Sequence, residues 1–386
     1  MIIADHSQIG KGSSMVDTHD ELKSLRQKVR DLDKQILELA LERQKTAQAI
    51  GQIKLAQGLP IKDFAVEKTV LENSRKICQS LGLYEDLGAE LIATLIKYSV
   101  IAQDEYHRRQ SRVKAGHQKK ILIIGGLGRM GLWQANFFSS FGHSVSLFDA
   151  KTQAKDSTVY PVVTDLVAEV HGSDVVVLAT PLDVSAQVLD DLIKERPEAL
   201  IFDLCSLKSP LRASIKRAVD CGLRITSVHP MFGPQVDTLS GRNIIICHVA
   251  SPEATAATFD LYAGGTAQLV PLSLDEHDLL MGYVLGVSHL VNLMFARVLS
   301  RGKIPFGTLK KVASTTFNAQ LQVTLPVVAE NKDLYYMIQA ANEFTPQMID
   351  AMREALESYQ TAIMSKDYQG FARMMEDSRL FCGDRP

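Results

Sequence analysis

Cysteine is scarce in this chain of 386 residues: there are five, at positions 78, 205, 221, 247 and 382, odd in number and nowhere spaced as Cys-x-x-Cys. That excludes a disulfide framework and a thiolate metal site, and it reads as a reduced, cytoplasmic protein with no metal. Charge of one sign is lacking as well. The 42 Lys and Arg stand against 44 Asp and Glu, a net charge of −2, so neither nucleic acid nor a membrane surface is an expected partner. Residues 1–18 are mixed and polar, without the apolar core of a secretory leader. They read as an N-terminal tail, with Met15 an alternative start. No apolar run reads as long enough to cross a membrane, and no repeat or low-complexity segment occurs. What is present is 46% hydrophobic residues, ample for the two or three domains such a length implies.

The chain divides into three regions. Residues 19–108 read as all-helical. Leu22, Leu25, Val29, Leu32, Ile36 and Leu39 step by three and four, the apolar stripe of one long helix running to about Gln57. Further helices are expected over 63–81 and 87–109, followed by a polar, basic linker at 109–119. Strands then alternate with helices at 121–125, 145–149, 174–179, 200–204, 224–228 and 243–249, which is the pattern of a doubly wound α/β domain over 120–270. From 271 to 386 the chain reads as helical. Stretches such as 279–300 are apolar nearly all round, which suits an interface.

The stripe of the first helix carries Arg43 and Lys54 farther along, with Arg26 one residue beside it. Each alone reads as a side chain snorkelling to water. As a set they are costly on a packing face unless an anion joins them. Arg43 and Lys54 lie about 16 Å apart along the axis, close enough for long side chains to hold a dianionic small molecule. Asp63 and Glu67 share a face at i, i+4, as do Ser99 and Gln103. This inventory contains cations, acids and neutral donors but no nucleophile and no histidine base.

Ile121-Leu-Ile-Ile runs into Gly126-Leu127-Gly128-Arg129-Met130-Gly131, and Asp149 ends the next strand 23 residues after Gly126. A strand before, a helix after and an acid at that distance form a dinucleotide fingerprint. Asp149 favours NAD, because a carboxylate there repels a 2′-phosphate. Lys151 and Lys155 nearby leave NADP open. Thr180-Pro181 ends the strand over 174–179, at the edge where the nicotinamide half should lie. His229 stands at a strand's carboxyl end before a Pro/Gly-rich loop, where a base for hydride loss from a carbinol is useful.

Residues 21–105 resemble the small all-helical chorismate mutases. The resemblance rests on Leu25-Arg26, Asp33, Glu42-Arg43, Gly51-x-x-Lys54, Pro60-Ile-x-Asp63-x-x-x-Glu67 and Ser99-Val-x-x-Gln103. It implies that Arg26, Arg43 and Lys54 bind the two carboxylates of chorismate. It also implies that Lys54 and Gln103 reach the breaking ether oxygen, that Glu67 holds the ring hydroxyl, and that Asp63 and Ser99 line the site. Such enzymes are dimers whose long helices cross, so Arg26 would serve the partner's site. Many relatives carry an arginine where Val66 stands.

Residues 119–378 resemble prephenate dehydrogenase, on Asp203-Leu-x-Ser206-x-Lys208, His229-Pro-Met-Phe-Gly-Pro and Glu276-His277-Asp278. The implied reaction is oxidative decarboxylation of prephenate to 4-hydroxyphenylpyruvate, with NAD as acceptor, His229 polarising the hydroxyl, and Ser206, Ser288 and His289 lining the pocket. Lys208, His277 and His289 read equally well as structural residues. The arginine usual for a prephenate carboxylate is missing, and no Lys or Arg occurs between Lys311 and Lys332. Pro326 falls at its place, leaving Arg297 or Arg301 as substitutes. The whole chain resembles the fused mutase/dehydrogenases of tyrosine biosynthesis, expected as homodimers. Two alternatives stay open: a dehydrogenase for arogenate or 4-amino-4-deoxyprephenate, and a helical front that senses or dimerises without catalysing.

Overall fold

The computed structural model describes residues 15–57, 64–110, 118–150, 158–236 and 239–383. They form two compact units, the first built on the N-terminal helices and the second on most of the remainder.

In the first unit, α1 (Met15–Ala56), α2 (Phe64–Ser80) and α3 (Glu85–Gln110) follow the periodicity, but α1 starts at Met15, inside the stretch 1–18 read as a tail, and α3 runs to Gln110, into the stretch read as a linker. Helix α3 packs against both others. At 42 residues, α1 extends about 63 Å, and most of its stripe has no cover: Leu25 is 54% and Leu39 64% exposed. What this unit does bury is largely polar, with Ser74, Ser99, Gln103 and Asp104 beside Cys78 and Ala102.

The second unit is built on a seven-stranded sheet. Its strands are β1 (Lys120–Ile124), β2 (Ser144–Phe148), β3 (Val175–Leu178), β4 (Leu200–Asp203), β5 (Ile225–Pro230), β6 (Asn243–His248) and β7 (Gln268–Ser273). The order is β2-β1-β3-β4-β5-β6-β7. All neighbours are parallel except β5 and β6. Helices α4 (Arg129–Ser140), α5 (Leu166–Gly172), α6 (Leu182–Glu195), α7 (Arg212–Asp220) and α8 (Pro252–Ala263) alternate with the strands. Strands β3, β4 and β5 are buried at every position, which is why they read as unbroken apolar runs: a parallel sheet covered on both faces has no solvent side.

The sequence reading places the end of this domain at 270, yet β7 runs to Ser273. Pro271 within it suggests a break, but β7 is an edge strand paired only to β6, where the missing N–H is tolerated. The helices that follow are α9 (Leu274–Met281), a π-helical turn (Gly282–Val287), α10 (Ser288–Arg301), α11 (Phe306–Lys311), α12 (Thr315–Ala329), α13 (Lys332–Ala340), α14 (Thr345–Met364) and α15 (Tyr368–Phe381). Leu274–Arg301 is long and apolar enough, by length and composition, to cross a membrane, contrary to the sequence reading. Its first turns carry Asp275, Glu276 and Asp278, and Asp278 is wired to Lys208 in the folded unit.

Candidate active sites

In the first unit, Arg43, Ser99 and Gln103 of the expected set lie where α1 packs against α3. Arg43 Nη1 donates to Ser99 Oγ at 2.8 Å, joining α1 to α3. Gln103 Nε2 donates to the carbonyl of Ala47 at 2.7 Å. Gly51 makes this approach possible, since a Cβ there would lie 2.7 Å from Gln103 Cγ. Arg43 and Lys54 are half-buried, and Ser99 and Gln103 are buried. Arg26 is exposed, 17 residues before Arg43 on the same helix and therefore about 25 Å from it along the axis. Asp63 and the side chain of Glu67 lie outside the described residues.

The fingerprint forms a tight cradle between β1 and α4. Gly125, one residue before the expected motif, takes the left-handed conformation at φ 80°, and a Cβ on it would lie 2.7 Å from the carbonyl oxygen of Ala179. Gly131 presses helix α4 onto the turn, where a Cβ would lie 2.5 Å from Gly125 O. Gly128 caps α4 at its N-terminus, which points Gly126-Leu127-Gly128-Arg129-Met130-Gly131 and the free N–H groups of the first helical turn at one place. That is an anion site suited to a pyrophosphate. Asp149 closes it, its Oδ2 accepting from Leu127 N–H at 3.1 Å. Thr180 and Pro181 lie beyond β3, where Thr180 Oγ1 pairs with Ser185 Oγ at 2.7 Å and Pro181 caps α6. The residues fit a dinucleotide. Lys151 and Lys155 lie outside the described residues.

His229 ends β5 and is 5% exposed. Its Nδ1 lies 2.9 Å from His277 Nε2, and His277 Nδ1 lies 2.7 Å from Asp278 Oδ1. Both partners come from α9, whose start is fixed by a capping box between Ser273 and Glu276. Asp278 also accepts from the N–H of Lys208 at 2.8 Å and from the N–H and hydroxyl of Ser209. Burial pushes the Asp278 carboxyl up, but hydrogen bonds from His277, Ser209 and Lys208 outweigh it and hold the group below its ordinary value. For His229, burial first and then the neighbouring His277 and Lys208 lower the pKa well below the ordinary histidine value. It is a neutral imidazole at neutral pH. His277 is lowered too, by burial against the opposing pull of Asp278.

Lys208 is neither solvated nor open to a ligand. Its ammonium, 0% exposed, donates to Asp203 Oδ1 at 2.8 Å, to Cys205 O at 2.7 Å and to Val228 O at 2.9 Å. All three protons are used. The carbonyls it holds precede Ser206 and His229, so one buried ammonium ties together the ends of β4 and β5. Ser227 Oγ donates to the other Asp203 oxygen. Burial opposes the Lys208 charge, but Asp203 raises its pKa in net. Ser206 is half-buried on the loop after β4.

On the helical side, His289 stacks on Tyr335 with centroids 4.3 Å apart, and its buried Nδ1 has no partner among the described residues. Ser288 is exposed, its hydroxyl donating to Val284 O at 2.7 Å. Between α10 and α12 lies a neutral cluster. Gln320 Nε2 and Thr324 Oγ1 donate to Asn292 Oδ1 at 2.9 and 2.7 Å. Pro326 sits inside α12, and Arg297 and Arg301 are exposed.

Three family models match this chain in order. They are chorismate mutase type II over residues 25–104, the nucleotide-binding domain of prephenate dehydrogenase over 138–255 and the dimerization domain of prephenate dehydrogenase over 273–377. The T-protein of Enterobacter agglomerans is 23% identical over 365 residues, 94% of this chain and 94% of that protein. A chorismate mutase of Methanocaldococcus jannaschii is 31% identical over 87 residues, 22% of this chain and 88% of that protein. A crystal structure of prephenate dehydrogenase from A. aeolicus, in complex with hydroxyphenyl propionate and NAD+, shares the fold with a TM-score of 0.57 at 18% identity, covering 69% of this chain and 98% of that one. With its helical front in the type II chorismate mutase family and its two later domains those of prephenate dehydrogenase, this chain belongs to the fused chorismate mutase/prephenate dehydrogenase family.

Proposed function

We propose that this protein rearranges chorismate to prephenate in its helical unit and oxidatively decarboxylates prephenate to 4-hydroxyphenylpyruvate in its second unit. The observation that carries the second activity is a buried, neutral His229 at a strand end of a sheet whose glycine cradle suits a dinucleotide.

A Claisen rearrangement needs no proton transfer. It needs a flexible dianion held in a folded conformer and charge stabilisation at the breaking ether oxygen. Arg43 and Lys54 offer two cations, and the Arg43–Ser99 bond orients the first of them. Gln103, held from α3 against Ala47, offers a neutral donor. Asp63 and Glu67 complete the site by resemblance. Arg26 cannot join Arg43 within one chain, so a second copy supplies it. A homodimer follows, supported by the uncovered stripe of α1 and by the exposed Tyr283, Val284, Val291, Met294 and Val298 of the helical domain.

In the dehydrogenase, Gly126 to Gly131 and Asp149 would hold the pyrophosphate and ribose of NAD, which when bound supplies the hydride acceptor. His229 Nε2 takes the proton of the C4 hydroxyl as the hydride leaves that carbon. The ring carboxylate departs as carbon dioxide and the ring becomes aromatic. His229 then returns its proton to the phenolate oxygen, so no net proton is released. Ser206, Ser288 and His289 would line the substrate side. Five cysteines, of which none is paired, suit a reducing cytoplasm.

A second reading is favoured by the neutral Asn292–Gln320–Thr324 cluster. In it the dehydrogenase prefers arogenate or 4-amino-4-deoxyprephenate. Comparing kcat/KM for the three substrates, with His229→Asn as the blank, decides between the readings.

A further inference from the structure

Beyond the base itself, we propose that His277 and Asp278 are positioning residues: they hold His229 as the tautomer with Nδ1 protonated and Nε2 bare, and they compensate the positive charge that grows on its ring. This rests on the reading of His229 as the dehydrogenase base.

With both imidazoles neutral, the hydrogen-bond partners assign a direction to each proton. Asp278 already accepts from Lys208 N–H and from Ser209 N–H and hydroxyl, so it is an ionised acceptor. His277 Nδ1 must then donate to it across 2.7 Å. A neutral imidazole has one N–H, so His277 Nε2 is bare and can only accept. The proton in the 2.9 Å contact with His229 therefore belongs to His229 Nδ1. That leaves His229 Nε2 as the one lone pair free for a substrate, which is the logic of a triad in which an acid sets a histidine's tautomer.

The charges facing this chain of groups point the same way. Lys208 and Asp203 cancel one another. Asp278 is 0% exposed, and it is the remaining anion beside the two imidazoles. Rotation of the relay is blocked at its far end, where Asn342 Nδ2 donates to the Asp278 carbonyl at 2.9 Å and the capping box fixes α9.

The test is the nitrogen-15 spectrum of histidine-labelled full-length protein, with the His229 signal assigned by its loss in His229→Asn, together with the kinetics of two His277 variants. His229 is expected to carry its proton on Nδ1 in the unmodified protein. His277→Phe removes the acceptor. It should lower kcat for prephenate oxidation by about 10²-fold or more, shift His229 toward protonated Nε2, and leave KM and chorismate turnover unchanged. His277→Gln, whose amide oxygen can accept from Nδ1, should recover part of the rate. A proton on His229 Nε2 in the unmodified protein, or an undiminished kcat in His277→Phe, would overturn the proposal. The spectrum needs neither substrate nor folded variants other than the assignment control. Failure of the relay is thus distinguishable from failure of the functional reading, which shows as no prephenate oxidation by the unmodified protein.

Discussion

Lys208 Nζ and Asp203 Oδ1 lie 2.8 Å apart with their side chains 0% and 2% exposed, a complete ion pair at the end of the sheet. Its three donated bonds end on β4, on β5 and on the loop that follows β4. Removing one partner leaves a buried charge alone. Asp203→Asn is therefore expected to lower stability by about 3–5 kcal/mol, measured by denaturant unfolding of the second unit's signal. A change below about 1 kcal/mol would show that the pair is already relaxed by water.

The proton balance of His229 gives a pH dependence of definite sign. Its folded pKa lies well below 6.5, so the bare ring predominates at neutral pH and is lost only as pH falls through that lowered value. The acid limb of kcat/KM for prephenate oxidation should sit below 6.5. The same group binds more protons in the unfolded chain between the two pKa values, so its contribution to stability falls as pH drops through 6.5. His229→Asn should remove the limb and about 10²–10⁴-fold of the rate while the mutase persists. Equal losses in both activities would contradict two separate sites.

Gly51 lets α1 approach Gln103. A methyl at Gly51→Ala would lie 2.7 Å from Gln103 Cγ and displace the amide from Ala47. Mutase kcat/KM should fall by about tenfold or more, because a misplaced donor at the reacting oxygen is costly, with prephenate oxidation unchanged. Steady-state chorismate loss followed in the ultraviolet checks this.

Asp149 closes the glycine cradle through Leu127 N–H. Asp149→Ala should raise KM for NAD and narrow the preference over NADP, because the carboxylate that repels a 2′-phosphate is gone. An unaltered ratio of kcat/KM for the two cofactors would remove Asp149 from that role.

The strands, the cradle and the long first helix were legible because each leaves a periodic or spacing signal: buried β3–β5 as apolar runs, Gly126 to Gly131 between strand and helix, Leu22 to Leu39 at helical steps. Strand β7 was not, because an edge strand holding Pro271 resembles a turn. Lys208, His277 and Asp278 stood in quoted motifs, but spacing cannot show that residues 70 positions apart share protons. The left-handed Gly125 was hidden beside the glycine that matches the fingerprint. The π-helical turn at Gly282–Val287 has no period of its own in the sequence.

The most direct test of two activities in one chain is to give purified protein chorismate, with and without NAD, and follow chorismate, prephenate and NADH together. Prephenate alone without NAD, and NADH with 4-hydroxyphenylpyruvate when NAD is present, is the expected result. Chorismate left unconsumed would contradict the mutase assignment. Prephenate accumulating beside NAD with no NADH would contradict the assigned dehydrogenase substrate.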